Sequence, residues 1–197
     1  MALSKTDIIN KALTLVGASP ITSIDDDTNN ARIASRVYEA SLRSILGECK
    51  WNFATKRALL SVSGDTLAWY DVGETIVYVK PTDMIKLFGV SDPGARWREE
   101  GSYIISDSSD LGVRYVYYND TPSTYSSDFI TAFIDKLCSD IAYAIVNSAS
   151  LGERYKQIYE SVSLSKAISS NSQSGIQQTI QDDAWELAKY HDGQPNA

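Results

Sequence analysis

The sequence predicts an α+β fold: a helical bundle of four helices from both ends of the chain, with an inserted antiparallel β block between helices two and three. Three observations predict it. Apolar residues repeat with a helical period of 3.6 near both ends. Between them, short β-rich runs are separated by turn residues. The repeat of apolar residues changes from a helical to a strand pattern at Cys49-Lys50-Trp51-Asn52-Phe53-Ala54. The helices on either side of the β block pack most simply into one bundle.

Capping residues and apolar stripes predict the first two helices. Ser4 or Thr6 can cap the first helix, and Gly17 ends it before Ser19-Pro20. The second helix covers about residues 30–49. Its apolar stripe predicts the face that packs in the core: Ala34, Val37, Tyr38, Leu42, Ile45, Leu46 and Cys49.

Two large aromatic residues mark the joint between helix and strand. Trp51 and Phe53 lie where the second helix stops and the β block begins. Burying an aromatic side chain gains roughly 1.5–3 kcal/mol over leaving it in water. We therefore expect both rings to wedge the helical part against the β part.

Residues 54–120 are predicted to form a small antiparallel sandwich or half-barrel. Gly, Pro and Asp separate the β-rich runs. The predicted strands are Leu59–Val62, Leu67–Tyr70, Ile76–Val79, Ile85–Val90, Tyr103–Ser106 and Val113–Tyr118.

The chain returns to helix after Ser126-Ser127-Asp128. Residues 129–145 are apolar around most of the helix circumference, which predicts a central position. Ser150-Leu151-Gly152 is expected to break this helix, and a fourth helix to begin near Glu153. Residues 169–175, rich in Ser and Asn, are expected to form a flexible linker.

These patterns divide the chain into three parts. Residues 1–53 plus 121–170 form the predicted helical bundle domain, and residues 54–120 form the inserted β domain. Residues 171–197 form a flexible linker and C-terminal docking segment, with an amphipathic stretch and frayed last residues.

Composition limits the classes of function. The formal net charge is −7 over 197 residues, the opposite of a protein that grips a nucleic-acid backbone. Cys49 and Cys138 fall in predicted helices without a disulfide framework, and we expect two buried free thiols. No signal core or membrane-spanning run occurs in the sequence, so we expect no membrane association.

No residue set predicts a catalytic or metal site, and we expect no cofactor. The only histidine, His191, lies six residues from the end, where a rigid catalytic site is not expected. Asp25-Asp26-Asp27 lacks the later residues of a calcium loop, and helix capping explains it more simply. Glu99 and Glu100 are the nearest match to paired carboxylates, but we expect a solvated turn there.

Two surfaces are candidates for assembly. Arg32, Arg36 and Arg43 share one face of the second helix, either as a solvated face or as a seam to another copy. The tail contains an amphipathic stretch that docks either on its own domain or on a partner. Its candidate interface residues are Ile176, Ile180, Trp185, Leu187 and Tyr190.

Four stretches of the chain, in this order, resemble the tail tubular protein A family of short-tailed bacteriophages, also called head-to-tail adaptors or connector-ring proteins. None of the four is a catalytic motif, and the resemblance covers roughly residues 5–168. The stretches are Leu15-Val16-Gly17 with Pro20-Ile21; Ala31-Arg32 through Trp51-Asn52-Phe53-Ala54; Lys80-Pro81-Thr82-Asp83-Met84-Ile85-Lys86-Leu87; and Trp97-Arg98-Glu99-Glu100-Gly101 with Tyr103–Asp107 and Val113–Tyr117.

The resemblance implies a structural virion protein and no enzymatic reaction. Such proteins form a ring, usually of twelve copies, that joins the portal to the tail nozzle and extends the DNA channel. The implied partners are the protein itself, the portal and the nozzle, with DNA passing through without sequence-specific binding. The implied location is the virion neck, after assembly in the host cytoplasm.

The sequence leaves two alternatives open. One is a glycan- or peptidoglycan-cleaving hydrolase of the phage particle, which would use Glu99, Glu100 and nearby aspartates. The other is a stand-alone binding module from an integrated prophage.

Overall fold

A computed structural model describes residues 3–70 and 73–174, and it confirms the predicted α+β fold with a β block between the second and third helices. The helices are α1 (Lys5–Leu15), α2 (Asn29–Glu48), α3 (Ser127–Val146), α4 (Ala149–Ile158) and α5 (Leu164–Gln173). The strands are β1 (Thr55–Leu59), β2 (Ile76–Val79), β3 (Met84–Val90), β4 (Trp97–Glu100), β5 (Tyr103–Ser106) and β6 (Gly112–Tyr117).

Local side-chain hydrogen bonds define the ends of α1 and α2. The Ser4 hydroxyl accepts from the Asp7 backbone N–H at 3.1 Å, while the Asp7 carboxylate accepts from the Ser4 N–H at 2.9 Å. This reciprocal pair is a capping box. Gly17, with φ of +80°, follows the end of α1 in the left-handed conformation that glycine adopts easily. The Thr28 hydroxyl caps α2 by accepting from the Ala31 N–H at 3.2 Å.

Helix α3 lies at the centre of the bundle, as its apolar circumference predicts. It packs against α1, α2, α4 and α5. Phe129, Ala132 and Phe133 have no solvent exposure.

The two cysteines are free thiols. Cys138 on α3 is fully buried and Cys49 is half-buried; burial raises their pKa values to about 12 and about 11. No helix within residues 3–70 and 73–174 is long and apolar enough to cross a membrane.

The predicted break between the third and fourth helices exists, but its predicted position at Ser150-Leu151-Gly152 is wrong: α3 ends at Val146, Asn147 has φ of +52°, and these three residues already belong to α4. Gly152 is buried against α3, and a Cβ atom there would lie 3.2 Å from the Ser139 carbonyl oxygen. The glycine therefore allows a close approach of two helices. A π-helical turn, Tyr159–Ser163, joins α4 to α5, and the Ser163 hydroxyl in this turn donates to the buried Asp135 carboxylate.

The predicted linker is also wrong over its first five residues, because α5 continues to Gln173. Asn171 holds this last turn in place by donating to the Lys50 carbonyl oxygen at 2.7 Å and accepting from the Asn52 N–H at 2.8 Å. The Asn52 side chain donates in turn to the Asn171 carbonyl oxygen at 2.8 Å. These long-range bonds explain why a Ser- and Asn-rich segment is helical here.

Two three-stranded antiparallel sheets make up the β block, with strand orders β1-β6-β3 and β2-β5-β4. The segment after β1 links them: the Leu60 N–H donates to Leu111 at 2.9 Å, and the Ser63 N–H donates to Val77 at 2.7 Å. A shared apolar core lies between the sheets, comprising Tyr78, Leu87, Ile104, Leu111, Val113 and Tyr115.

The strand predictions hold in part. Strand β1 begins four residues earlier than predicted, residues 67–70 form no strand, and β4 replaces the expected turn. The turn comes directly after β4. Glu100 pairs with Tyr103, so Gly101 and Ser102 form a two-residue turn, and Gly101 has φ of +56°.

One face of the first sheet covers the bundle. Val116 on β6 is fully buried in the helical core, and Ile85, Phe88 and Tyr117 pack against that core. The first sheet thus lies between the helical core and the β core.

Candidate assembly surfaces

The Trp51–Phe53 joint is held by an aromatic cluster at the start of α3. Trp51 has no solvent exposure, and its Nε1–H donates to the Ile45 carbonyl oxygen at 2.8 Å. The Phe129 ring contacts Trp51 at 4.8 Å and Phe53 at 4.7 Å between centroids, both edge-on. Tyr125 contacts Phe53 at 5.3 Å. The chain therefore enters and leaves the β block through one packed cluster.

A cavity of about 200 Å³ lies beside this joint, where the described part of the chain ends. It is lined by residues of the joint, of the start of α3 and of the end of α5, including Phe53, Tyr125, Asn171 and Ser174. The tail candidates Ile176, Ile180, Trp185, Leu187 and Tyr190, and His191, lie outside the described residues.

The arginine stripe lies on the exposed face of α2, opposite the face that packs on α3. Two of its three members have local partners. Arg32 pairs with Asp27, and Arg43 pairs with Glu39 at 2.9 Å while its guanidinium lies 4.3 Å from the Tyr118 ring centroid. Arg36 is exposed and pairs with no carboxylate in the described part of the chain. The stripe therefore carries less free positive charge than the sequence suggests.

The Asp25–Asp27 run serves local structure. Asp26 accepts from the backbone N–H groups of Thr22 at 2.8 Å and Ser23 at 2.9 Å. Asp27 pairs with Arg32. The described residues contain no group of three or more metal-ligating side chains.

Glu99 and Glu100 lie on strand β4 and point to opposite faces of the sheet. Glu99 pairs with Lys80, and Glu100 lies 3.2 Å from Nε of Arg98. The expected turn, which would have allowed both carboxylates to reach one bond, is not present. Wherever a described carboxyl group departs clearly from its ordinary pKa the shift is downward, whereas a general acid at neutral pH needs an upward shift.

Exposed apolar side chains are concentrated in the β block. Among the described residues, eight large hydrophobic side chains are exposed, and five of them lie in or between the strands. These five are Leu59, Val62, Trp69, Val79 and Trp97, with Trp69 72% exposed. The β block therefore exposes more large apolar side chains than the described part of the helical bundle does.

A basic patch, missed by the sequence reasoning, lies where the first sheet extends past α2. We define the Phe88 patch as Lys50, Arg57, Phe88 and Arg114. Lys50 Nζ lies 4.9 Å and Arg114 Cζ 5.2 Å from the Phe88 ring centroid, while Arg57 and Arg114 face each other across the β1–β6 ladder. These residues are far apart in sequence, and only the strand register brings them together, so no local pattern could have indicated the patch.

Comparison with known proteins identifies no family for this chain. No protein-family model matches the chain, and no curated protein sequence matches it.

Proposed function

We propose that the protein is a structural component of a phage virion, in which identical copies assemble into a closed ring that joins the portal to the tail. The ring extends the DNA channel between the portal and the tail nozzle and is built from about twelve copies. The protein acts through its contact surfaces in the virion neck, after assembly in the host cytoplasm. The order of the four stretches that resemble head-to-tail adaptors supports this proposal.

The observation that carries the proposal is the difference between two exposed surfaces. One is the arginine face of α2, with Arg36 unpaired by any described carboxylate. The other is the β block, with its five exposed apolar side chains and a net charge of −3 over residues 54–120. A closed ring needs heterologous contacts, in which one face of each copy meets a different face of the next.

Ring closure makes the assembly stable even when each contact between two copies is modest. Each copy makes one contact with each neighbour, and the final contacts form at high effective concentration, so the ring is more stable than any one interface. The net charge of −7 suits a channel through which DNA slides without base-specific binding.

Imaging the purified protein mixed with its portal tests the proposal. We expect a ring stacked on the portal and sharing its axial symmetry. A protein that leaves the portal bare under conditions where both are folded would contradict the proposal. Deleting residues 175–197, which leaves α5 intact, tests separately whether the tail contributes to binding the portal. We expect the truncated protein no longer to bind the portal.

A further inference from the structure

The Phe88 patch gathers positive charge that no carboxylate of the described residues balances. None of Lys50, Arg57 and Arg114 forms an ion pair within residues 3–70 and 73–174. Burial lowers the pKa of Lys50, and the nearby charges of Arg114 and Arg57 lower it further. In a chain of net charge −7, three neighbouring cations without a described carboxylate partner form a surface that favours an anionic ligand.

The strands hold these cations in one place. Arg57 and Arg114 are directly opposite in an antiparallel pair, so their side chains share one face. The Arg114 guanidinium crosses β3 at Gly89, where a Cβ atom would lie 3.7 Å from its Nη2. This proximity and the 5.2 Å approach to the Phe88 ring place the Arg114 guanidinium over β3.

An apolar wall adjoins the cations. A cavity of about 450 Å³ is lined by Arg57, Leu59 and Arg114, together with neighbouring residues of β1 and β6 and the end of β3. Leu59 is 70% exposed. A ligand for this surface therefore combines negative charge with an apolar group.

The C-terminal tail has this composition and starts beside the patch. Asp182, Asp183 and Glu186 surround Trp185 in the sequence. Asn171 donates to the carbonyl oxygen of Lys50, and the tail begins four residues later. The eight residues 175–182 span up to about 26–29 Å when extended. The Lys50 and Arg114 cations lie only 4.9 Å and 5.2 Å from the Phe88 ring centroid, so a chain of this length can reach across the patch.

We propose that residues 176–190 dock on the Phe88 patch of their own chain, with Asp182, Asp183 and Glu186 against Lys50, Arg57 and Arg114, and with Trp185 on the apolar wall at Leu59. This contact is independent of ring formation, because it lies within one protomer. In the proposed ring, the tail would have to leave the patch before it could reach the portal.

Zero-length cross-linking of the full-length protein tests the docking. A carbodiimide joins carboxylates to amines in direct contact, and Lys50 supplies an amine in the patch. We expect mass spectrometry to find Lys50 joined to Asp182, Asp183 or Glu186. Mixing ¹⁵N-labelled and unlabelled protein shows whether both peptides come from one chain. The pairs Lys80–Glu99 and Lys136–Asp140 are internal positive controls that also report a folded protein.

Neutralising the patch provides the matched variants. In Arg57→Gln/Arg114→Gln we expect the Lys50–tail links to fall at least about fivefold, because two of the three attracting charges are lost. In Arg154→Gln/Lys156→Gln, which changes the net charge equally on the exposed surface of α4, we expect no loss. We also expect 1 M salt to reduce the links, since the Debye length falls to about 3 Å.

Four results would overturn the proposal. The first is the absence of Lys50–tail links while the control links form. The second is links that persist in Arg57→Gln/Arg114→Gln. The third is links found only between differently labelled chains, which would assign the patch to the tail of a second copy. The fourth is binding of a short DNA duplex that requires Arg57 and Arg114, which would assign the patch to a phosphate backbone.

Discussion

Trp51 and Phe129 meet edge to face, with ring centroids 4.8 Å apart and planes inclined by 76°. Trp51 stands just before the first strand of the β block, and Phe129 stands in the first turn of the helix that follows the last strand. Their contact therefore joins the two connections of the insertion and lets one core stabilise both parts. Aromatic pairs of this kind contribute about 0.5–1.5 kcal/mol beyond the burial of their surface.

Replacing Trp51 by alanine should destabilise the whole molecule. The substitution leaves a cavity in a fully buried cluster and removes the hydrogen bond to the Ile45 carbonyl, so we expect the free energy of unfolding to fall by about 3–5 kcal/mol. Urea denaturation, monitored by far-UV circular dichroism, measures the free energy of unfolding. Trp69→Ala is the matched control, because Trp69 is 72% exposed and should change stability by less than about 0.5 kcal/mol. Equal losses in both variants would contradict the role of Trp51.

Two helical glycines should respond differently to alanine. At Gly47 in α2 a Cβ atom would meet Ile85 at 3.8 Å, an ordinary contact, so Gly47→Ala should stabilise the protein by about 0.5–1 kcal/mol through helix propensity. At Gly152 in α4 the Cβ atom would lie 3.2 Å from the Ser139 carbonyl oxygen, and α3 and α4 would have to separate. Thermal unfolding of both variants should give a lower midpoint for Gly152→Ala than for Gly47→Ala, and the opposite order would refute the close approach of α3 and α4.

Asn171 should control the order of the last turn of α5. Asn171→Ala removes two side-chain hydrogen bonds, to Lys50 and from Asn52, that hold this turn against the joint. We expect faster amide hydrogen exchange over residues 164–173, because the turn is then held by its own weak helix propensity. Ser172→Ala is the neighbouring control, since its hydroxyl bonds only to Ile168 of the same helix. Unchanged exchange in Asn171→Ala would show that the turn needs no anchor.

The sequence predicts the elements whose signals are local. The capping residues and stripes of α1, α2 and α3 are visible in the chain, and so is the change of period at Trp51. The fold class follows from their order alone.

The elements that sequence reasoning missed depend on partners far away in the chain. Gly152 is typical of a helix break by itself, yet Ser139 and Ala142 make it a contact position. Residues 169–173 have the composition of a linker, yet Asn171 bonds to Lys50 and Asn52. The Phe88 patch requires the register of β1 against β6, which no local pattern encodes.

Asp83 should contribute to stability only above acidic pH. Burial opposes its ionisation, but hydrogen bonds from Lys56 at 2.6 Å and Tyr115 at 3.0 Å outweigh burial and lower its pKa below the ordinary value of 3.8. A carboxyl group with a lower pKa in the folded state stabilises fully above the pKa of the unfolded chain. Its contribution is lost as the pH falls through the folded pKa.

The variant Asp83→Asn isolates this contribution. We expect the difference in unfolding free energy between the wild type and Asp83→Asn to be constant from pH 7 to about pH 5 and to shrink below about pH 4. Urea unfolding at a series of pH values measures it. Asp25→Asn is the control, because Asp25 is exposed, and it should reproduce the wild-type curve. A difference that stays constant down to pH 2 would exclude the role of the Asp83 carboxylate.

Reversing the charge of Arg36 should weaken the proposed ring. Arg36 is exposed on the arginine face of α2 and has no ion-pair partner in the described residues, so Arg36→Glu should leave the fold intact. Placing like charges across a seam should slow assembly on the portal by about tenfold or more at low salt, and less at high salt. Light scattering measures the rate, and imaging measures the fraction of portals that carry a ring. Arg154→Glu makes the same charge change on the exposed surface of α4 and should assemble at the wild-type rate. Equal slowing in both variants would show that overall charge, and not the face of α2, governs assembly.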